Sequence, residues 1–299
     1  MSGLERIAEA FASAHADGRR AALMPYLMGG FPGLAQSAEI GIAYAQAGAD
    51  LIEVGVPFSD PLADGPVIHA AATAALQRGA NVQLVLDVCA AIAEHAPVVV
   101  MCYTNPILAR GLERFADALV DIGASGLIVP DMPLEEASAT LAACDDRGLA
   151  LVPLAAPTTP EHRLKRIGAQ ARGFLYTVSL TGTTGERVAL DARLPGIVSR
   201  VAAHTNVPVA VGFGIATPAQ AGAAAAAGAD GVIVGSRLVR AAGEADDPAA
   251  RVGELVCGFS AALSDPAGAT IPDPSGATKP DATSATTPDA TGATTVDTG

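Results

Sequence analysis

Up to about residue 264 the chain alternates short runs rich in Val, Ile and Leu with longer, alanine-rich stretches whose apolar residues recur every three or four positions. The short runs read as strands buried on both faces and the longer ones as amphipathic helices, a repeating βα rhythm. Strands are predicted over 21–28, 50–56, 97–103, 125–130, 149–153, 173–178, 207–211 and 231–234. Residues 3–17, with Leu4, Ile7, Phe11 and Ala14 at helical spacing, predict an extra helix ahead of the first strand, placed to cover a barrel floor. Eight βα units in about 250 residues are the count and length of a (β/α)8 TIM barrel, whose active site lies at the C-terminal strand ends. A doubly wound sheet fits less well, because the glycine-rich turns follow the later strands instead of the first, where a dinucleotide fingerprint belongs.

The pattern breaks near residue 264. Beyond it aromatic residues and aliphatic periodicity almost vanish, and Pro, Ala, Thr, Gly and Asp take over. Asp265, Asp273, Asp281, Asp289 and Asp297 recur every eight residues, as do Thr270, Thr278, Thr286 and Thr294. Such a composition predicts a disordered, solvating tail over 265–299 behind a catalytic barrel domain over 1–264, with docking to a partner as the other reading of the tail.

Composition narrows the function further. Half of the 299 residues are hydrophobic, yet no apolar run reaches membrane-spanning length, and Met1 to Ile7 resembles neither a secretory leader nor a transit peptide. A cytoplasmic location is expected. The net charge is -13 and the only lysines are Lys165 and Lys279, which argues against a nucleic-acid partner. Cys89, Cys102, Cys144 and Cys257 are widely spaced and form no CxxC pair, as expected of reduced thiols.

Chemistry concentrates between Leu51 and Pro66. Glu53 stands in the second apolar strand, where a charge is costly unless it is paired or put to use. Facing inward near the strand's C-terminal end, it would sit at the bottom of the mouth with a raised pKa suited to giving and taking a proton. The structural alternative is a carboxylate tied to loop amides. Asp64 follows in a loop stiffened by Pro57 and Pro61, with Asp60 as its companion. Either Asp could cap the helix starting near Pro66, but two carboxylates in different environments could also divide acid and base roles.

Three glycine-containing turns follow strands six, seven and eight: Thr181 to Gly185, Gly212 to Ile215, and Gly235-Ser236. Together they predict a phosphate cradle, since glycine lets backbone N–H groups approach an anion and helix starts at Thr217-Pro218 and Ser236 add a favourable dipole. Imine chemistry has no candidate, because Lys165 lies on a helical pattern and Lys279 in the tail. His15, His69, His95, His162 and His204 are scattered and propose no metal cluster; His69, close behind the acidic loop, reads as a helix-surface or supporting residue. What remains is proton-transfer chemistry on a phosphorylated substrate without metal or cofactor.

The run Pro57-Phe58-Ser59-Asp60-Pro61-Leu62-Ala63-Asp64-Gly65-Pro66 behind Glu53, preceded by Pro25-Tyr26 and Gly29-Gly30-Phe31-Pro32 and followed by Gly212-Phe213-Gly214-Ile215, resembles the tryptophan synthase alpha chain over residues 1 to about 264. The tail has no counterpart in that family. The resemblance implies retro-aldol cleavage of indole-3-glycerol phosphate to indole and glyceraldehyde 3-phosphate. Glu53 matches the general acid/base and Asp64 the carboxylate that binds the indole N–H. Tyr176, Thr184 and Phe213 match substrate-positioning residues, and Gly185, Gly214, Gly235 and Ser236 match phosphate contacts. Where some members carry a basic residue, this chain has Leu180, which implies different loop dynamics. The resemblance also implies an αββα complex with a beta chain that carries pyridoxal phosphate, the alpha chain having no cofactor. Asp60, Pro61, Asn105, Asp131 and Pro133 resemble the partner-facing positions. Two other functions stay open: a non-catalytic phospholigand-binding subunit that activates its partner allosterically, and a free-standing lyase that releases indole.

Overall fold

The computed structural model describes residues 1–178, 192–212 and 214–264; the repeat tail, Thr184, Gly185 and Phe213 lie outside the described residues. Within them the strands are β1 (Ala22–Met28), β2 (Ile52–Gly55), β3 (Val98–Met101), β4 (Gly126–Ile128), β5 (Ala150–Val152), β6 (Leu154–Ala155), β7 (Leu175–Val178), β8 (Val209–Gly212) and β9 (Gly231–Val234). All pairings are parallel, and β1 pairs with both β2 and β9, so the sheet curls back on its first strand. β5 and β6 form a single stave. Pro153 between them has no N–H to continue a ladder, but its carbonyl accepts the N–H of Tyr176 at 3.0 Å and so carries the pairing across to β7. Nine segments therefore make the eight staves that the hydrophobic pattern predicts.

The connecting helices are α2 (Leu34–Gln46), α3 (Pro66–Gln77), α4 (Val82–Ala93), α5 (Thr104–Arg110), α6 (Leu112–Asp121), α7 (Ser138–Asp145), α8 (Glu161–Gln170), α9 (Leu194–Ala202), α10 (Pro218–Ala226), α11 (Ser236–Glu244) and α12 (Pro248–Ser264). Strand alternation divides the core in two. Ile52, Val54, Val98 and Val100 face the helices, whereas Met24, Leu51, Val99 and Ile128 fill the barrel interior.

The expected first helix is α1 (Gly3–Ala16), started by a capping box in which Ser2 and Glu5 each accept the other's backbone N–H. Its buried Ile7, Phe11 and Ala14 join the interior cluster and close the end of the barrel opposite the strands' C-termini. Arg6 fastens this floor by donating to the carbonyls of Gly123 at 2.6 Å and Ala93 at 2.7 Å. Cys89, Cys102 and Cys144 are buried free thiols, while Cys257 is exposed on α12.

Candidate functional site

Glu53 points into the barrel. Its neighbour Leu51 belongs to the interior cluster and Ile52 and Val54 to the outer one, so strand alternation leaves Glu53 inward, in register with Tyr26 on β1 and Val99 on β3. The residue is 1% exposed, and among the described residues neither carboxyl oxygen has a hydrogen-bond partner. The alternative of a carboxylate tied to loop amides is therefore not what the structure contains. Burial first, and the charge of Asp64 second, push its pKa from 4.5 to about 8. At neutral pH such a group holds its proton and is poised to release it.

Asp64 lies in the loop between β2 and α3. The helix takes Gly65 as its N-cap without a side-chain cap, so neither Asp60 nor Asp64 serves as the cap. The Asp64 carboxylate instead accepts a hydrogen bond from the Tyr103 hydroxyl at 3.0 Å. Burial raises its pKa, while the Tyr103 hydrogen bond and the nearby His69 act in the opposite direction. His69 sits exposed on the first turns of α3, a supporting position of the kind its place in the sequence predicts. The two carboxyls thus occupy distinct settings: one fully buried, the other half-buried and hydrogen-bonded to Tyr103.

Tyr103 is the residue that sequence reasoning missed. It was legible only as the last residue of the third predicted strand, the position from which barrels present functional side chains. Two further tyrosines stand near Glu53. The Tyr26 hydroxyl lies so close to Gly55 that a Cβ there would fall 2.0 Å from it, and the Tyr176 hydroxyl lies likewise against Gly212, at 2.6 Å. Burial, together with the charge of Glu53, holds both phenols well above their ordinary pKa; for Tyr26, Asp64 contributes as well. Both tyrosines therefore stay neutral, and the two glycines make room for them.

Of the phosphate candidates, Gly214 adopts φ +70° just after β8, while Gly235 and Ser236 lead from β9 into α11. Strands β8, β9 and β1 are adjacent, so these turns open on the same mouth as Tyr26. The N-terminus of α11 is directed there, and α10 begins at the expected Thr217 with a capping box to Gln220. The partner-facing candidates follow β2, β3 and β4: Asp60, Pro61, Asp131 and Pro133 lie in loops, and Asn105 on the first turn of α5. Asp60, Asn105 and Pro133 are exposed and Pro61 is half-buried, whereas Asp131 is half-buried and accepts both the N–H and the Oγ–H of Thr104, each at 2.9 Å. Two large apolar side chains are exposed beside them, Leu62 in the loop after β2 at 87% and Leu108 on α5 at 61%.

A family model described as tryptophan synthase alpha chain matches residues 11–262. The tryptophan synthase alpha chain of Prochlorococcus marinus is 48% identical over 238 residues, covering 78% of this chain and 86% of that protein. The alpha chain of Trichodesmium erythraeum is 41% identical over 262 residues, covering 86% and 99%. Among solved structures, a Mycobacterium tuberculosis tryptophan synthase chain superposes with a TM-score of 0.82 at 40% identity, covering 87% of this chain and 98% of that one. With the barrel, the inward Glu53 and the acidic loop already in place, these likenesses settle the matter: the chain belongs to the tryptophan synthase alpha-chain family, carbon–carbon lyases of tryptophan biosynthesis that cleave indole-3-glycerol phosphate to indole and glyceraldehyde 3-phosphate.

Proposed function

We propose that Glu53 and Asp64 divide this cleavage between them. The observation that carries the assignment is Glu53 itself, a fully buried carboxyl with a pKa of about 8 and no hydrogen-bond partner among the described residues, beside a second carboxylate held in place by a hydroxyl. Protonated Glu53 donates to the indole carbon that bears the glycerol chain. Positive charge then develops on the ring nitrogen, and Asp64, accepting its N–H, stabilises that charge. The Glu53 carboxylate left behind takes the proton of the adjacent side-chain hydroxyl. The electron pair of that O–H becomes the carbonyl of glyceraldehyde 3-phosphate, and the breaking C–C bond returns its electrons to the ring, giving indole. One carboxyl gives a proton and recovers one, so the cycle closes.

The protonated ring acts as the electron sink, the role a lysine imine or a metal plays in other aldolases, so this chain carries no cofactor of its own. Gly214, Gly235 and Ser236, with Gly185, hold the phosphate, while Tyr176, Phe213 and Thr184 position the indole. Pyridoxal phosphate belongs to the beta chain, which docks on the face formed by Asp60, Pro61, Asn105, Asp131 and Pro133 to give an αββα assembly; exposed Leu62 and Leu108 supply apolar area for that contact. The setting is the cytoplasm; among the described residues no helix is long and apolar enough to cross a membrane.

The test is indole release from indole-3-glycerol phosphate by the full chain, with and without a beta chain. Turnover is expected alone and faster in the complex. Glu53→Gln should lower kcat by about a hundredfold or more. Wild-type turnover in that variant would sink the acid/base assignment.

A further inference from the structure

The loops after β2, β3 and β4 are joined by one polar chain centred on Tyr103. Its hydroxyl donates to Asp64 Oδ1 at 3.0 Å and accepts the N–H of Ala63 at 3.1 Å, so a single oxygen fixes both the carboxylate and the backbone beside it. The ring is buried and lies against Phe58, with centroids 5.4 Å apart, which restricts how far the hydroxyl can swing. The next residue, Thr104, opens α5 and is clamped by Asp131 through two 2.9 Å hydrogen bonds. Tyr103 is therefore held by its ring, by its hydroxyl and through its neighbour.

We infer that Tyr103 is the positioning residue for Asp64, holding the carboxylate in the orientation and charge state that receive the indole N–H. This rests on the role given to Asp64 above. Besides burial, the groups that act on Asp64 from the surrounding elements are Tyr103 itself and His69 on α3, and Asp64 in turn raises the pKa of Glu53 on β2 and of Tyr26 on β1. Of these, Tyr103 is the hydrogen-bond donor, and a donated hydrogen bond favours the ionised carboxylate. Tyr103→Phe keeps the ring and its packing but removes that donor, so the pKa of Asp64 rises. The acidic limb of the kcat/KM profile should move to higher pH, and kcat/KM at its optimum should fall roughly tenfold or more.

A role through Asp64 makes a second demand. In an Asp64→Ala background no carboxylate is left to position, and Tyr103→Phe should change the residual turnover by less than about twofold. An unmoved acidic limb with wild-type kcat/KM, or an equal loss in both backgrounds, overturns the inference. Should Tyr103→Phe melt too low to assay, Phe58→Leu loosens the ring while keeping the hydroxyl. The acidic limb should then move in the same direction by less, and an unmoved limb again counts against the inference. If Asp64→Ala alone keeps wild-type turnover, the assignment of Asp64 fails, a result distinct from failure of Tyr103.

Discussion

A carboxyl placed where Val or Ile would pack weakens the fold in a pH-dependent way, and for Glu53 the sign is fixed. Its pKa rises from 4.5 to about 8 on folding. Between those values the folded chain keeps a proton that the unfolded chain has released, so stability falls as pH rises through the window; below its lower end both states are protonated and the penalty disappears. Glu53→Gln removes the titration. The melting temperature of the variant relative to wild type should therefore increase from about pH 5 to about pH 8 and level off above it. A difference that stays constant over that range would show that the buried carboxyl is not shifted upward. Glu53 was legible in the sequence because a charge inside an apolar run is conspicuous. Tyr103 was not, because a tyrosine at a strand end looks like ordinary packing until its hydroxyl is seen to reach a loop 39 residues away in sequence.

Among the elements, α1 has a structural task that can be separated from catalysis. Phe11 is 4% exposed and packs on Phe174, with ring centroids 6.1 Å apart, at the end of the barrel away from Glu53 and Asp64. Phe11→Ala leaves a cavity that helix and barrel can only partly close, at a cost of about 3 kcal/mol or more. For a domain of this size that corresponds to a fall in melting temperature of about 2–4 °C per kcal/mol. Indole release measured well below the transition should keep its wild-type kcat/KM. A large loss of activity in a still-folded variant would mean that the floor and the mouth are coupled. The strands and α1 were legible because their periodicity is local. The split of the fifth stave into β5 and β6 depends on the missing N–H of Pro153, and it appears only once the ladder is built. The group that holds Asp64 was equally hidden: beside Gly65-Pro66 the residue could be a helix cap or one of a pair of catalytic carboxylates, and only the fold shows the Tyr103 hydroxyl reaching it. A similar hidden device is the repeated Gly-Ala-Asp ahead of β2 and β9. Asp50 accepts the N–H of Leu23 and Asp230 that of Val209, each pinning the start of a neighbouring strand.

For the molecule as a whole, everything needed for the barrel lies before residue 265. Every stave is paired, the floor is closed by α1, and α12, ending at Ser264, packs on α2, α10 and α11. The family model ends its match at residue 262, so the likeness to alpha chains also stops short of the octad repeats. Those repeats offer no periodic apolar face, and with five Asp against one Lys they carry a charge of -4 out of the chain's -13. Small and polar residues of this kind gain too little from burial to offset the entropy of ordering them. We therefore propose that 1–264 is the complete catalytic domain and that 265–299 contributes solvation and charge. Truncation after Ser264 should leave the melting temperature within about 2 °C of the full chain, less than the effect of 1 kcal/mol, and indole release unchanged both alone and with a beta chain. Because net charge keeps proteins apart in solution, the visible change should be earlier self-association as pH falls towards the isoelectric point, followed by light scattering. A lower melting temperature, or a loss of activation by the beta chain, would instead make the repeats part of the working enzyme.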